Sequence, residues 1–262
     1  MRSRVGSSLL RVWVGLVLLF LFVPLITVAV YAFNASNVQR WPIPGFSTKW
    51  FTVAWGDPAV HSALWLSVKA GVLATIIALL LGSAAAFGVH KFRFFGSETI
   101  SFLLVLPLSL PGIITGIALN SAFQFAGIGL SLLTIVIGHA TFCIVVVYNN
   151  VLARLRQTSG SLIEASMDLG ARPWQTLTRI TMPMLSTSLL SGGLLAFALS
   201  FDEVIVTTFT AGAQNTLPLW VFGSLRLGQQ LPEVNAVILV VLAVTVIPVA
   251  LSSRLASRAG IR

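Results

Sequence analysis

The chain has 262 residues, of which 56% are hydrophobic and 9% charged, with a mean hydropathy of +0.96. Charges this sparse cannot cover a water-soluble surface, so lipid must face much of the protein and no room is left for a separate soluble catalytic domain. The formal net charge of +9 is no nucleic-acid signature, because the basic residues sort by side of the membrane.

Six apolar runs, at about 12–33, 63–89, 99–122, 131–153, 187–210 and 235–252, are long enough for helical spans, which need roughly 20 residues each. They lack the short alternating segments of a membrane barrel. The expectation is one all-α membrane domain, 1–262, with six transmembrane helices. The first run follows Arg2, Arg4 and Arg11 and is longer than the apolar core of a secretory signal, so it reads as an uncleaved span.

Between the first two runs, Asn34 to His61 carries Pro42, Pro44, Gly45 and Asp57 among Trp41, Trp50 and Trp55, which suits a loop with aromatic anchors at interface height. The second run is dense in Gly71, Ala74, Ala78, Gly82, Ala84, Ala85, Ala86 and Gly88, small residues that let helices approach closely in lipid. The third holds Pro107, Pro111 and Gly112. A helix interrupted there frees carbonyls that protein or a wet cavity must satisfy, and such breaks are places to look for a substrate path. Cys143, the single cysteine, falls inside the fourth run and reads as a small apolar core residue.

If six spans alternate, Arg2, Arg4, Arg11, Lys91, Arg93, Arg154, Arg156, Arg172, Arg179, Arg254, Arg258 and Arg262 share one face, and only Arg40, Lys49, Lys69 and Arg226 fall on the other. The positive-inside rule then places both termini, and the polar segment 154–186, in the cytoplasm.

That polar segment carries the most specific pattern in the chain. Ser161 three residues before Glu164 suits a capping box, Gly170 suits a left-handed helix stop, and Pro173 suits the first turn of a second helix. A helix-turn-helix is predicted, with Glu164 and Asp168 on one face and small Ala165 and Ser166 available for close approach. Glu164-Ala165-Ser166, Gly170 and Ile180-x-Met182-Pro183 resemble the cytoplasmic coupling loop of permease subunits of binding-protein-dependent ABC importers, with Ser166 where Ala is usual. The resemblance implies the type I importer permease fold (MetI-like), with Glu164, Ala165, Ser166, Asp168 and Gly170 serving ATPase coupling. It also implies a homologous second permease, a dimer of cytoplasmic ATP-binding subunits, an external substrate-binding protein and a place in the bacterial inner membrane.

Within the fifth run stands Ser200-Phe201-Asp202-Glu203. An acid at mid-bilayer costs about 2.5 kcal/mol or more on insertion scales, so both must face something polar. A helix starting near Thr187 would carry Asp202 roughly 22 Å along its axis. Lys69 is a candidate ion-pair partner; the other reading is a carboxylate offered to a cationic substrate. The run 200–210, with Thr216-x-Pro218-Leu219 and Pro232-Glu233-Val234-Asn235 downstream, is similar to the C-type membrane subunit of spermidine/putrescine importers. That likeness covers nearly the whole chain. It implies a substrate path with Asp202 first, Glu203 second, and Ser200 and Trp50 as weaker contacts. The sequence departs from many polyamine permeases at Gly112, where an acid usually follows the proline. Other small solutes, such as a different amine, a phosphonate or ferric iron, are the alternative cargo, and an ion-coupled secondary transporter is a further alternative class.

No Gly-Lys pair occurs, hence no phosphate-cradling P-loop. His61, His90 and His139 stand in no metal-ligand spacing. The chain reads as a non-enzyme with no metal site and no cofactor of its own; ATP and Mg²⁺ would belong to the partner ATPase.

Overall fold

The computed structural model of the chain describes residues 4–91, 97–157, 160–228 and 230–258. Arg2, Arg93 and Arg262 lie outside the described residues. The helices run α1 (Arg4–Ala32), α2 (Lys49–Gly56), α3 (Pro58–Lys91), α4 (Ser97–Ser109), α5 (Gly112–Phe125), α6 (Leu132–Gln157), α7 (Gly160–Asp168), α8 (Pro173–Thr176), a π-helical turn (Leu177–Thr181), α9 (Met182–Asp202), α10 (Ile205–Thr210), α11 (Leu217–Leu227) and α12 (Leu231–Arg258). Among the described residues the only extended pairing is an isolated bridge between Asn34 and Phe46.

Four helical stretches are each long and apolar enough to cross a membrane: Leu9–Ala32, Pro58–Lys91, Leu132–Gln157 and Pro173–Asp202. A fifth candidate is broken. Ser101–Ser109 and Gly112–Phe125 meet at 105°, where Pro111 withholds its N–H and confines Leu110 to extended backbone. The interruption expected from Pro107, Pro111 and Gly112 is therefore present. The apolar start of α12, Leu231–Thr245, overlaps the sixth predicted run and begins ahead of it.

The chain divides into two compact units. The first takes residues up to His61 and those from Val221 onward. In it α1 and α2 both pack on α12 around Ala32, Trp50 and Ala236. The Trp50 indole N–H donates to the Asn34 carbonyl at 2.7 Å, which satisfies the one polar atom of a large buried ring.

The second unit, Ser62–Trp220, is built around α6. Its core joins Phe142, Cys143, Val147, Tyr148, Val151 and Leu155 of α6 to Ala78 and Ala86 of α3 and Leu185 and Ala196 of α9. The small residues of α3 serve close packing, as their density predicts: Ala70, Ala74, Ala78 and Ala86 are fully buried. Cys143 sits in that core, where its thiol donates to the Ala196 carbonyl.

The fifth run departs from its predicted bounds. The helix begins at Pro173 rather than near Thr187, continues through the π turn, and ends at Asp202. Glu203 then takes an extended conformation (φ −74°, ψ 116°) before α10 restarts at Ile205.

Candidate functional site

The hairpin α7–α8 forms where the sequence predicts one. Gly170 has φ +80°, its N–H donates to Met167 O at 2.9 Å, and the Ala171 N–H donates to Ser166 O at 3.0 Å. This pair of bonds is a Schellman stop, and its left-handed residue favours glycine. Pro173 opens α8, and the Gln175 side chain accepts from the Arg172 N–H at 2.8 Å. Ser161 is already inside α7, its second residue, rather than ahead of it as the expected cap.

Glu164, Ala165 and Asp168 are exposed, as a docking face requires. Ser166 is not. It is buried, its hydroxyl donating to Ile163 O at 2.8 Å and meeting the Thr176 hydroxyl at 2.9 Å. Its small size fits the joint between α7 and α8. The exposed apolar residues Leu162, Met167, Leu169 and Trp174 are what the motif alone did not reveal; Leu169, at the turn, is 89% exposed.

From the foot of this hairpin the chain runs without a break to the acids. Pro173–Asp202 is one stretch of 30 helical residues, about 44 Å at 1.5 Å per residue. The π turn within it, at Leu177–Thr181, is the kind of helical irregularity that often accompanies a functional position.

At its far end the two acids separate in role. Asp202 is exposed, and its carboxylate makes no hydrogen bond or ion pair to another described residue. Glu203 is half-buried, and its carboxylate accepts from the Val206 N–H at 2.9 Å, satisfying an orphan donor in the first turn of α10. Lys69 does not pair with either; its ammonium lies over the Trp65 ring, 5.3 Å from the centroid.

Beside the break lies a polar chain for which no sequence motif prepares. His139 of α6 is buried, with Nδ1 2.7 Å from the Ser200 hydroxyl and Nε2 2.8 Å from the Thr207 hydroxyl. The Thr207 hydroxyl donates to the Glu203 carbonyl at 2.6 Å. With that hydrogen committed, Nε2 must carry the N–H, and in a neutral ring Nδ1 accepts from Ser200. The expected substrate contact Ser200 is thus occupied in holding α9 to α6.

The two broken helices meet. A Cβ on Gly116 of α5 would fall 2.6 Å from a ring carbon of Phe209, so only glycine permits this approach. Asn120 of α5 donates to the Phe209 carbonyl at 2.6 Å. A Cβ on Gly112 would lie 3.6–3.8 Å from Ile205 and Val206, which places the position of the missing acid beside the start of α10. Trp50, the last expected path residue, is buried in the first unit with its indole satisfied and Lys49 over its ring at 4.5 Å.

Residues 78–259 match the family described as binding-protein-dependent transport system inner membrane component, and the chain belongs to that family. It is 38% identical over 232 residues to the putrescine transport system permease protein PotI of Escherichia coli (strain K12), covering 85% of this chain and 82% of that one. It is 31% identical over 239 residues to the spermidine/putrescine transport system permease protein PotC of the same strain, covering 90% and 89%. In structure it resembles a chain of a bacterial ABC transporter involved in the import of the acidic polysaccharide alginate, with a TM-score of 0.71 over 98% of both chains at 18% identity. The fold is that of ABC importer permeases, and with its apolar helices the chain is a multi-pass membrane protein.

Proposed function

We propose that this chain is the permease subunit of an ATP-driven importer that carries putrescine or a related polyamine into the cytoplasm. The observation that carries the reading is the continuous helix from the exposed hairpin to Asp202. A coupling surface and an unpaired carboxylate at opposite ends of one rigid element are what ATP-driven alternating access requires. The relatives PotI and PotC, named for putrescine and spermidine/putrescine transport, support the choice of cargo.

In this reading six spans cross the inner membrane, with both termini and the hairpin α7–α8 in the cytoplasm. A homologous second permease completes the pathway, an external binding protein delivers the amine, and two cytoplasmic ATP-binding subunits supply energy. The exposed side of the hairpin, at Leu162, Glu164, Ala165, Asp168 and Leu169, docks on one of them. The chain itself is non-catalytic and needs no cofactor; ATP and Mg²⁺ are held by the ATPase. When the ATPase dimer closes, the hairpin moves and the rod α8–α9 carries that motion to Asp202. Asp202 offers a charged acceptor to the ammonium group. Glu203 shapes the break, and His139, Ser200 and Thr207 keep it in place.

The test is uptake of radiolabelled putrescine by polyamine-starved cells with the chain intact or deleted and its transporter subunits present. Uptake that disappears on deletion and stays low with Asp202→Asn supports the reading. Uptake indifferent to the chain would remove the polyamine assignment and redirect the search to other small solutes.

A further inference from the structure

A second pair of carboxylates lies in the first unit, and the transport reading gives it no task. Asp57 occupies the joint between α2 and α3, where its Oδ1 accepts from the Ala59 N–H at 2.7 Å. That bond fixes it at the head of α3. Glu233 is the third residue of α12. It is 0% exposed, and neither carboxylate oxygen accepts a hydrogen bond from an N–H or hydroxyl donor of the described residues.

Both acids line one open depression of about 550 Å³, together with Thr52, Val53, Gly56 and Gln230, and Glu233 lies within reach of the Asp57 carboxylate's charge and of a hydrogen bond shared with it. Among the described residues no basic side chain lines it. Lys49, on the same helix as Thr52, is engaged with the Trp50 ring. A buried carboxylate beside another carboxylate is a costly arrangement that either a shared proton or a bound cation must offset.

We propose that Asp57 and Glu233 bind the ammonium group of a small organic amine, at a site separate from Asp202. The ammonium has three donors and no acceptor, which suits two carboxylates supplemented by the oxygens of Thr52 and Gln230. Val53 and Gly56 give the attached methylenes an uncharged wall. A dehydrated divalent cation fits less well, since it needs six or more oxygens in a tight cage, and the cavity is in the size range of organic-ligand pockets. Choosing putrescine as the probe rests on the polyamine reading above.

The test is equilibrium binding of radiolabelled putrescine to the assembled transporter in lipid nanodiscs, for the wild type, Glu233→Gln, Asp57→Asn and Asp202→Asn. The expected result is a site weakened about tenfold or more by Glu233→Gln and by Asp57→Asn, in line with losing one partner of a buried charge pair, and unmoved by Asp202→Asn. If Glu233→Gln fails to assemble, the half-buried Asp57 carries the test through Asp57→Asn. Binding unchanged in both variants would overturn the proposal, as would binding abolished by Asp202→Asn alone, which would leave the import reading standing. Thermal stabilisation by Mg²⁺ or Ca²⁺ that needs Glu233, without putrescine binding there, would overturn it in favour of a metal site. A Glu233-dependent putrescine site in a complex incapable of ATP-driven uptake would keep this proposal and sink the import reading.

Discussion

The hydroxyl of Ser166 lies 2.9 Å from the hydroxyl of Thr176, both buried, and this contact ties α7 to the foot of the rod that ends at Asp202. A hairpin whose two helices were free to splay would absorb a push on α7 instead of passing it on. Ser166→Val removes the bond and crowds the joint, at about 1 kcal/mol for the hydrogen bond alone. The expected outcome is a normally inserted protein whose ATP hydrolysis continues while putrescine uptake falls severalfold, read by paired ATPase and uptake assays in proteoliposomes.

Ala165 sits one residue earlier and is exposed, so Ala165→Glu leaves the hairpin folded but sets a large charge on the docking face. Co-purification of the ATPase subunit should be lost while the amount of permease in the membrane is unchanged. Retained ATPase and normal uptake would remove α7 from the interface.

Gly170 at φ +80° imposes an order on substitutions. Gly170→Asn tolerates the left-handed conformation, whereas Gly170→Val strains it by about 1–2 kcal/mol. Uptake should rank glycine first, asparagine next and valine last.

The two acids should respond differently. Asp202→Asn removes a charged hydrogen bond worth about 1.5–3 kcal/mol to a bound ammonium, a loss of about tenfold or more in uptake at limiting putrescine. Glu203→Gln keeps an oxygen to accept from the Val206 N–H and should be mild, while Glu203→Ala should lower the melting temperature of the complex. Equal transport losses for Asn and Gln would contradict the division of roles.

Gly112 has room for a side chain, its nearest neighbours lying at ordinary contact distance. As the first residue of α5, an aspartate there is favoured by the helix dipole. Gly112→Asp should raise affinity for spermidine relative to putrescine in competition uptake, since the triamine has one more charge to place.

Local signals made part of this legible in the sequence. Gly170 and Pro173 announce a stop and a start through backbone geometry that depends on the residue itself, and Pro111 breaks its helix for the same reason. The break at Glu203 has no such marker, because neither proline nor glycine stands between Ser200 and Thr210. It exists because a side chain three residues earlier caps Val206 and because His139, 61 residues from Ser200, holds both sides. Ser166 looked like docking surface because smallness is ambiguous: the same residue suits close approach by a partner or by its own hairpin, and only Thr176 decides. Trp50 shows the reverse case, an aromatic residue suited to a path mouth that tertiary packing claims for the core.

The rod itself is the claim most directly open to measurement. Spin labels at Trp174→Cys and Leu199→Cys, both exposed, would lie about 38 Å apart along a continuous helix, and buried Cys143 should escape labelling. Pulsed electron-electron distance measurements on the assembled transporter, with and without a trapped ATP state, should give one narrow distance that does not change while label pairs across the pathway shift. A distance that broadens or changes between states would mean that the π turn yields, and that the hairpin does not drive Asp202.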